Sequence, residues 1–464
     1  MTHALDLPEI CSGIARSLVR HDLASCARVN TGWHDSFTPL LYNSVVLSSH
    51  GPSVEALERY KHHIRSLTIQ SCASKKPSST LASEHALCSF IASSTLTALT
   101  LDRNSIGDDG ATALAEMLQT NSTLTTLSLQ DNSIGDNGAR ALAQAIKINS
   151  TLTALNLERT STGDDGAKAL AEALQTNSTL RTLNLNCNWI GDDGAQALSG
   201  ALKINAALTA LSLGGNSVRD DGARALAEAL RTNSTLKTLN LNDSWIGDDG
   251  AQALSGALKI NAALTTLGLG YSSMRVSGAQ ALAEALRTNA TLDTLILYEG
   301  CFGADGAQAI FEALMINSTL TTLDLHRNGI KVRECQTLWI GDKGLQALTD
   351  ALKFNVTLTT LNLTGNIVGP CAAQALTEAL KVNKSLTTLN LGYSDIDTSG
   401  VLTLAEALKT NSTLVTLNLY GNSIGDDAAK ALDEALKTNK TLNLNLIDSE
   451  SEDNGGEALD EAPE

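Results

Sequence analysis

Aromatic side chains are scarce in this sequence: Phe, Trp and Tyr make up 3% of its 464 residues. Leucine, isoleucine and alanine must fill any core, and apolar residues still total 43%, the share of a folded protein. Basic charge is also short. Lys and Arg number 33 against 50 Asp and Glu, a net charge of −17. That excludes a protein that tracks nucleic-acid phosphates. No run of about 20 apolar residues occurs, so no membrane span or membrane partner is predicted. Asp6, Glu9 and Arg16 interrupt the start, where a secretory signal would need an apolar stretch. The eight cysteines, at positions 11, 26, 72, 88, 187, 301, 335 and 371, form no C-x-x-C pair and show no disulfide spacing. Scattered thiols predict a reducing compartment, the cytoplasm or nucleus.

Signatures of chemistry are missing too. No G-x-x-x-x-G-K-S/T phosphate loop is present. The recurring G-D-D-G runs lack the EF-hand spacing and its final Glu. Seven of the eight histidines fall within residues 1–85, where adjacent His62 and His63 cannot share one helical face and His85 with Cys88 has no further ligands. No nucleophile–base pair follows from spacing. The expectation is a non-enzymatic chain with no catalytic residue, no cofactor and no metal.

What is present is one pattern written many times. L-x-x-L-x-L-x-x-N-x-I-G-D-x-G-A-x-A-L-A-E-A-L-x-x-N starts at Leu96 and restarts at Leu124, Leu152, Leu180, Leu208, Leu236, Leu264, Leu292 and Leu320, each step being 28 residues. A fixed period of this size means stacked units. In residues 124–151, Leu124, Leu127 and Leu129 alternate around a short strand. Asn132 follows, an amide suited to bonding the backbone of the turns above and below. Gly135 and Gly138 allow tight turning, and Asp136 is expected to cap a helix N-terminus. Ala139, Leu142, Ala143 and Ile146 form an apolar helical stripe, and Asn149 is expected to end the helix in a left-handed conformation. The N-x-S/T triplets, such as Asn121-Ser122-Thr123, are then repeat punctuation rather than glycosylation acceptors.

Strand, turn, helix, turn predicts an α/β fold. It is a curved, right-handed solenoid or horseshoe, with parallel strands on the concave face and helices outside. One repeat cannot bury enough surface to stand alone, so the ends need caps. The pattern resembles the ribonuclease-inhibitor class of leucine-rich repeat, which also occurs in Ran GTPase-activating proteins and NOD-like receptors. The repeats cover residues 96–447. A divergent first repeat and cap occupies 48–95, with Ile64-Arg65-Ser66-Leu67-Thr68-Ile69 as its strand and Leu81–Ile91 as its helix. Later strands at 358, 386, 414 and 442 bring the count to fourteen, a sheet about 60 Å long that suits a protein ligand.

The repetition breaks in three places. Leu320 is followed by Leu358, and the ten extra residues lie at 329–338 (GIKVRECQTL), either a loop for a partner or a neutral insertion. The last unit degrades after Leu414, and an acidic cap and tail fills 448–464. Residues 1–47 belong to no repeat: Leu7-Pro8-Glu9-Ile10, then Ile14, Leu18, Asp22-Leu23, Val29 and Trp33, suggest short amphipathic helices. This small helical segment resembles an F-box, with Pro39-Leu40-Leu41-Tyr42 at its end. The resemblance implies a substrate-recognition adaptor of an SCF-type ubiquitin ligase. Leu7, Pro8, Ile10, Leu18 and Leu23 would dock on the Skp-family linker subunit, and the repeats would hold a protein substrate. The chain is expected to be monomeric outside its complex. The repeat class leaves two alternatives open: a Ran-type GTPase-activating protein, or a ribonuclease-inhibitor-like or NOD-like-receptor-like binding protein.

Alternation along the strands places candidate contacts on the concave face. Before the second leucine stand bland residues such as Thr126, Thr182, Thr238, Thr322 and Thr388. The two positions after the third leucine vary more, and four of the six tyrosines fall there. Tyr271, Tyr298, Glu299, His326, Arg327, Tyr393 and Tyr420 are the candidate partner-binding residues, since Tyr and Arg are frequent hot-spot types. Trp189, Trp245 and Trp339 share one repeat position and are expected to cover a rim.

Overall fold

The computed structural model describes residues 43–47, 60–69, 91, 94–328 and 340–446. The linker-binding candidates Leu7, Pro8, Ile10, Leu18 and Leu23 lie outside the described residues, as do the 329–338 insertion, Trp339, most of the 81–91 helix and the 448–464 tail. Two compact units divide the chain, Met1–Ser244 and Trp245–Glu464. In the first run β1 (Ser44–Leu47), β2 (Ser66–Ile69), β3 (Ala98–Thr100), β4 (Thr126–Ser128), β5 (Ala154–Asn156), β6 (Thr182–Asn184), β7 (Ala210–Ser212) and β8 (Thr238–Asn240). In the second run β9 (Thr266–Gly268), β10 (Thr294–Ile296), β11 (Thr322–Asp324), β12 (Thr360–Asn362), β13 (Thr388–Asn390), β14 (Thr416–Asn418) and β15 (Asn443–Asn445).

Within each unit every strand pairs in parallel with its sequence neighbour, second leucine beside second leucine, as in Leu127↔Leu155 and Leu295↔Leu323. A helix follows each strand from β3 to β14. The first unit holds α1 (Asp108–Thr120), α2 (Gly135–Ile148), α3 (Asp164–Leu174), α4 (Asp192–Leu202) and α5 (Asp220–Leu230). The second holds α6 (Asp248–Leu258), α7 (Val276–Leu286), α8 (Gly303–Leu314), α9 (Gly341–Phe354), α10 (Pro370–Val382), α11 (Thr398–Leu408) and α12 (Asp426–Thr438). Strand leucines and the helical alanine–leucine stripe are buried against one another; Leu127, Leu129, Ala139 and Leu142 have no exposed surface. Alanine at the contact lets helix and sheet approach closely. Each unit is a stack of strand–turn–helix repeats with parallel strands, the α/β solenoid fold class expected from the sequence. Register survives both irregularities: Leu323 pairs Leu361 across the insertion, and Leu417 pairs Leu444 across the shortened last repeat.

One strand escaped the sequence count. Ser44–Leu47, the end of the stretch assigned to a helical segment, is β1 and pairs with β2, giving fifteen strands among the described residues. Ser44-Val45-Val46-Leu47 alternates exposed and buried side chains but lacks the L-x-x-L-x-L frame. A second departure concerns the thiols. Cys301 is disulfide-bonded, and neither Cys187 nor Cys371, both free, is its partner. The spacing of eight scattered cysteines carried no sign of it.

Two rows of asparagine tie the repeats together. Asn132 Nδ2 donates to Leu101 O of the preceding repeat (2.9 Å) and to Leu129 O of its own (2.8 Å). Its Oδ1 accepts from Asn104 N (3.1 Å) and Ile106 N (2.8 Å). Asn188, Asn216, Asn328 and Asn366 repeat the reach to the preceding repeat. The second row ends the helices. Asn149 Nδ2 donates to Leu118 O (2.8 Å), a last-turn carbonyl of α1 with no partner inside its own helix. Its Oδ1 receives Thr151 N (3.0 Å) and Leu152 N (2.8 Å). Asn149 is therefore not left-handed, as the sequence suggested, but extended (φ −68°, ψ 128°), which aims its amide at the neighbouring helix. Buried and engaged on both sides, these asparagines serve the fold, as the punctuation reading of the N-x-S/T triplets required.

The aspartates also act across repeats rather than within them. Asp136 makes no cap for its own helix. Its Oδ1 accepts Gly163 N (2.7 Å) and Gly166 N (2.9 Å) at the start of the next one, α3. Asp164 and Asp248 do the same for α4 and α7. Each carboxylate thus meets orphan amides and the positive end of the following helix dipole. Pro370 holds this place in α10, and the next helix is instead capped by its own Asp397, which accepts Gly400 N at 2.7 Å.

Burial pushes the Asp248 carboxyl up, but hydrogen bonds from Ser277 and from the Arg275 and Gly278 amides outweigh it, and the charge of Arg275 adds to them. The net result is a carboxyl held below its ordinary 3.8. Stability from this group is fully present above that ordinary value and is lost as pH falls through the lower, folded value. Asp248→Ala should cost about 1 kcal/mol at neutral pH, with the gap to the parent chain closing in acid. Denaturant melts of both chains across pH check this; a gap independent of pH contradicts it.

Candidate functional site

The variable positions after the third leucine sit where the chain leaves the sheet. The second of each pair is left-handed: Arg103, Asp131, Arg159, Cys187, Asp243, Tyr271, Glu299, Arg327 and Tyr393 have φ between 49° and 58°, and Gly215, Gly365 and Gly421 adopt the same turn. A side chain there costs about 1–2 kcal/mol relative to glycine. Most repeats accept that cost at this turn, so its side chains are the ones that vary most visibly on the sheet edge.

In the first unit these turn residues make small ionic contacts. Asp131 lies 3.1 Å from Arg103 and 3.7 Å from Arg159. The Arg159 guanidinium is held above its ordinary value, first by a hydrogen bond with Cys187 and then by the charges of Cys187 and Asp131. A cavity of about 420 Å³ opens over Thr68, Ile69, Thr100, Asp102, Arg103, Gln130 and Asp131. All these pairs are exposed and screened, and none buries a reactive group.

The second unit differs. Tyr271, Tyr298, Glu299, His326 and Arg327 follow β9, β10 and β11 and lie in three consecutive repeats. Their backbones link in series: Tyr271 N donates to Tyr298 O (2.6 Å), and Glu299 N donates to His326 O (3.0 Å). Tyr298 and His326 stack with ring centroids 4.5 Å apart and planes at 20°. His326 Nδ1 lies 2.8 Å from Asp324 Oδ1, which fixes the imidazole over the tyrosine. Arg327 Nη1 donates to Glu299 Oε1 at 3.0 Å. Trp245 meets Tyr271 edge to face, 6.3 Å between centroids. Tyr271 is 38% exposed and Trp245 50%. Tyr393 and Tyr420 form a separate T-shaped pair at 5.2 Å, with Tyr393 57% exposed.

Glycines make the room. A Cβ on Gly270 would overlap the Tyr298 ring, one on Gly392 would overlap Tyr420, and one on Gly421 would overlap Tyr393. The pairs Gly270-Tyr271 and Gly392-Tyr393 are thus two features in one: a left-handed tyrosine, and a vacancy for the tyrosine of the next repeat.

Sequence reasoning missed three contributors. Asp324 occupies the column after the second leucine, which reads Ser128, Asn156, Asn184, Ser212 and Asn240 in the first unit. Comparing repeats column by column would have exposed it, with Asp293 beside it. Trp189 and Trp245 were expected to cover a rim; Trp189 is 74% exposed and covers little, and Trp245 belongs to the aromatic cluster. Among the described residues no three His, Cys, Asp or Glu side chains gather as metal ligands, and no helix is long and apolar enough to cross a membrane. What this arrangement offers is a surface: rigid aromatic faces with ionic groups beside them.

Gly270→Ala tests the built-in vacancy. It should push Tyr298 off His326 and lower stability by about 1–3 kcal/mol. The His326 ring resonances should lose their ring-current shift; an unchanged spectrum would contradict the packing described.

Eight segments match the family model described as Leucine Rich repeat: residues 92–115, 120–143, 149–171, 176–199, 205–227, 232–255, 382–405 and 410–432. An internalin (inlF) from Listeria monocytogenes is similar over 95% of this chain and 94% of the internalin, at 15% identity and a TM-score of 0.44. The actin-binding site 2 of leiomodin-1 is similar over 32% of this chain and 86% of that one, at 23% identity and a TM-score of 0.29. No curated protein matches the chain. Each of these eight segments holds a strand and the start of its helix, so the matched segments, under half of the chain, are leucine-rich repeats.

Proposed function

We propose that the protein is a non-catalytic binding scaffold that captures a protein partner on the open sheet face of its second unit. The observation that carries this is the stacked Tyr298–His326 pair with the Trp245–Tyr271 pair in the neighbouring repeat, where the equivalent turn positions of the first unit hold polar or charged residues such as Gln130, Asp131, Glu158 and Arg159. Tyrosine supplies contact area at little entropic cost, and Arg327 is oriented by Glu299, so both are pre-organised for a partner. Tyr393 and Tyr420 form a second contact on the same reading.

The finer reading is a substrate-recognition adaptor of an SCF-type ubiquitin ligase. Its support is the F-box-like order of Leu7, Pro8, Ile10, Leu18 and Leu23, which would dock on a Skp-family subunit. Because β1 starts at Ser44, the F-box-like segment is taken as residues 1–42. This reading puts the chain in the cytoplasm or nucleus, where the Cys301 disulfide would be transient rather than structural.

The full chain should co-purify with a Skp-family subunit, and a chain lacking residues 1–42 should not. Capture that survives the deletion sinks the ligase reading and leaves the scaffold. Tyr298→Ala should remove a discrete set of proteins from proximity labelling while leaving the linker subunit labelled. An unchanged set sinks the scaffold reading at this face.

A further inference from the structure

We infer that the sheet face around Tyr298 takes a basic partner segment, one that presents arginine or lysine side chains; this rests on the reading that the face captures a protein. The aromatic surface alone would accept many chemistries. Two charges beside it narrow the choice.

Asp324 stands in a column where a neutral amide suffices. Its Oδ1 accepts His326 N at 3.0 Å. Asn156, Asn184 and Asn362 accept the equivalent amide at 3.0, 3.0 and 3.1 Å. The turn is made equally well without a charge; what the Asp324 carboxylate adds is its contact with His326 Nδ1 at 2.8 Å and a negative charge on the sheet face. Asp293, just before β10, is a second acid: its Oδ1 accepts Thr321 Oγ1 at 2.6 Å and its Oδ2 accepts Thr294 Oγ1 at 3.2 Å, neutral donors that leave its charge in place. Other repeats carry Thr125, Thr153, Thr209, Thr265 or Thr359 at that place, or a cation in Arg181 and Lys237. Only on β10 and β11, the strands that carry Tyr298 and His326, do these two columns turn acidic.

Arg327, the cation in the cluster, is engaged by Glu299 at 3.0 Å. The face therefore presents exposed Asp293, half-buried Asp324 and the faces of tyrosine rings. Successive guanidinium or ammonium groups of one segment would match this surface, some pairing with the carboxylates and others resting over an exposed ring. A net charge of −17 steers a basic segment toward the chain and repels an acidic one.

The test uses the full chain and three fluorescent probes: octa-arginine, octa-glutamate and an uncharged glycine–serine peptide, at about 0.15 M salt. Binding is read by anisotropy. The variant Asp293→Thr with Asp324→Asn restores what other repeats carry, so the fold is kept. A control variant, Asp165→Asn with Asp193→Asn, removes two exposed charges from α3 and α4. Octa-arginine should bind the parent chain, about tenfold more weakly in the first variant and less than twofold more weakly in the control. Absence of octa-arginine binding, equal weakening in both variants, or equal affinity for octa-glutamate would overturn the inference. If it is overturned while Tyr298→Ala still loses its labelled proteins, the face binds a partner that is not basic, and the scaffold reading stands.

Discussion

Everything in this molecule depends on asparagine amides that reach out of one repeat into the one before. A strand of three residues followed by a turn and a helix leaves many backbone groups unpaired, and burial makes each one costly. Asn177 shows how this is solved. Its Nδ2 meets Ile146 O at 2.8 Å across the repeat boundary, and its Oδ1 receives Leu180 N at 2.8 Å. One side chain closes a helix end and opens the next strand. Hydrophobic burial holds the layers together, but it is non-directional; the amides set the spacing and the register.

The aspartate links follow the same logic at the other end of the helix. An Asp inside one helix accepts the first amides of the next, so the interfaces that carry it are fastened at both helix ends; where Val276 or Pro370 stands in its place, the asparagine end remains. Each link costs nothing extra in ordering, since both partners are already fixed by the stack. This explains why the repeat tolerates ten extra residues after Asn328 and one missing residue before Leu444 without losing register. The helix-ending asparagine recurs from repeat to repeat within each unit, and no single turn has to carry the fold. On the sheet side, the positions free to vary are the open strand face and the left-handed turn, whose side chains the links do not use.

Period and pattern made the architecture legible. Leucine alternation gave the strands, and the alanine–leucine stripe gave the helices. Local chemistry was less legible, for a physical reason. Asp136 and Asn149 were assigned to their own helices because sequence proximity is the only proximity a sequence displays, whereas both act 27 to 31 residues away. β1 was hidden because four residues without the repeat frame look like any apolar scrap. The disulfide of Cys301 had no spacing to announce it. For the site, the tyrosines were visible as departures at Tyr271, Tyr298, Tyr393 and Tyr420. Their coupling to glycine one repeat back, and the lone acid at Asp324, needed the columns to be brought side by side. The structure does this by pairing every strand in register.

The most direct test of the account is native-state hydrogen exchange on Asn205→Ala. Asn205 donates to Leu174 O (2.6 Å) and Asn177 O (3.0 Å), and accepts Ala207 N (2.9 Å) and Leu208 N (2.7 Å). If cross-repeat amides hold the stack, protection should fall in the repeats on both sides of the boundary, through α3 as well as α4. Loss confined to the Ala207 and Leu208 amides would show that hydrophobic burial alone sets the stacking, and would contradict the account.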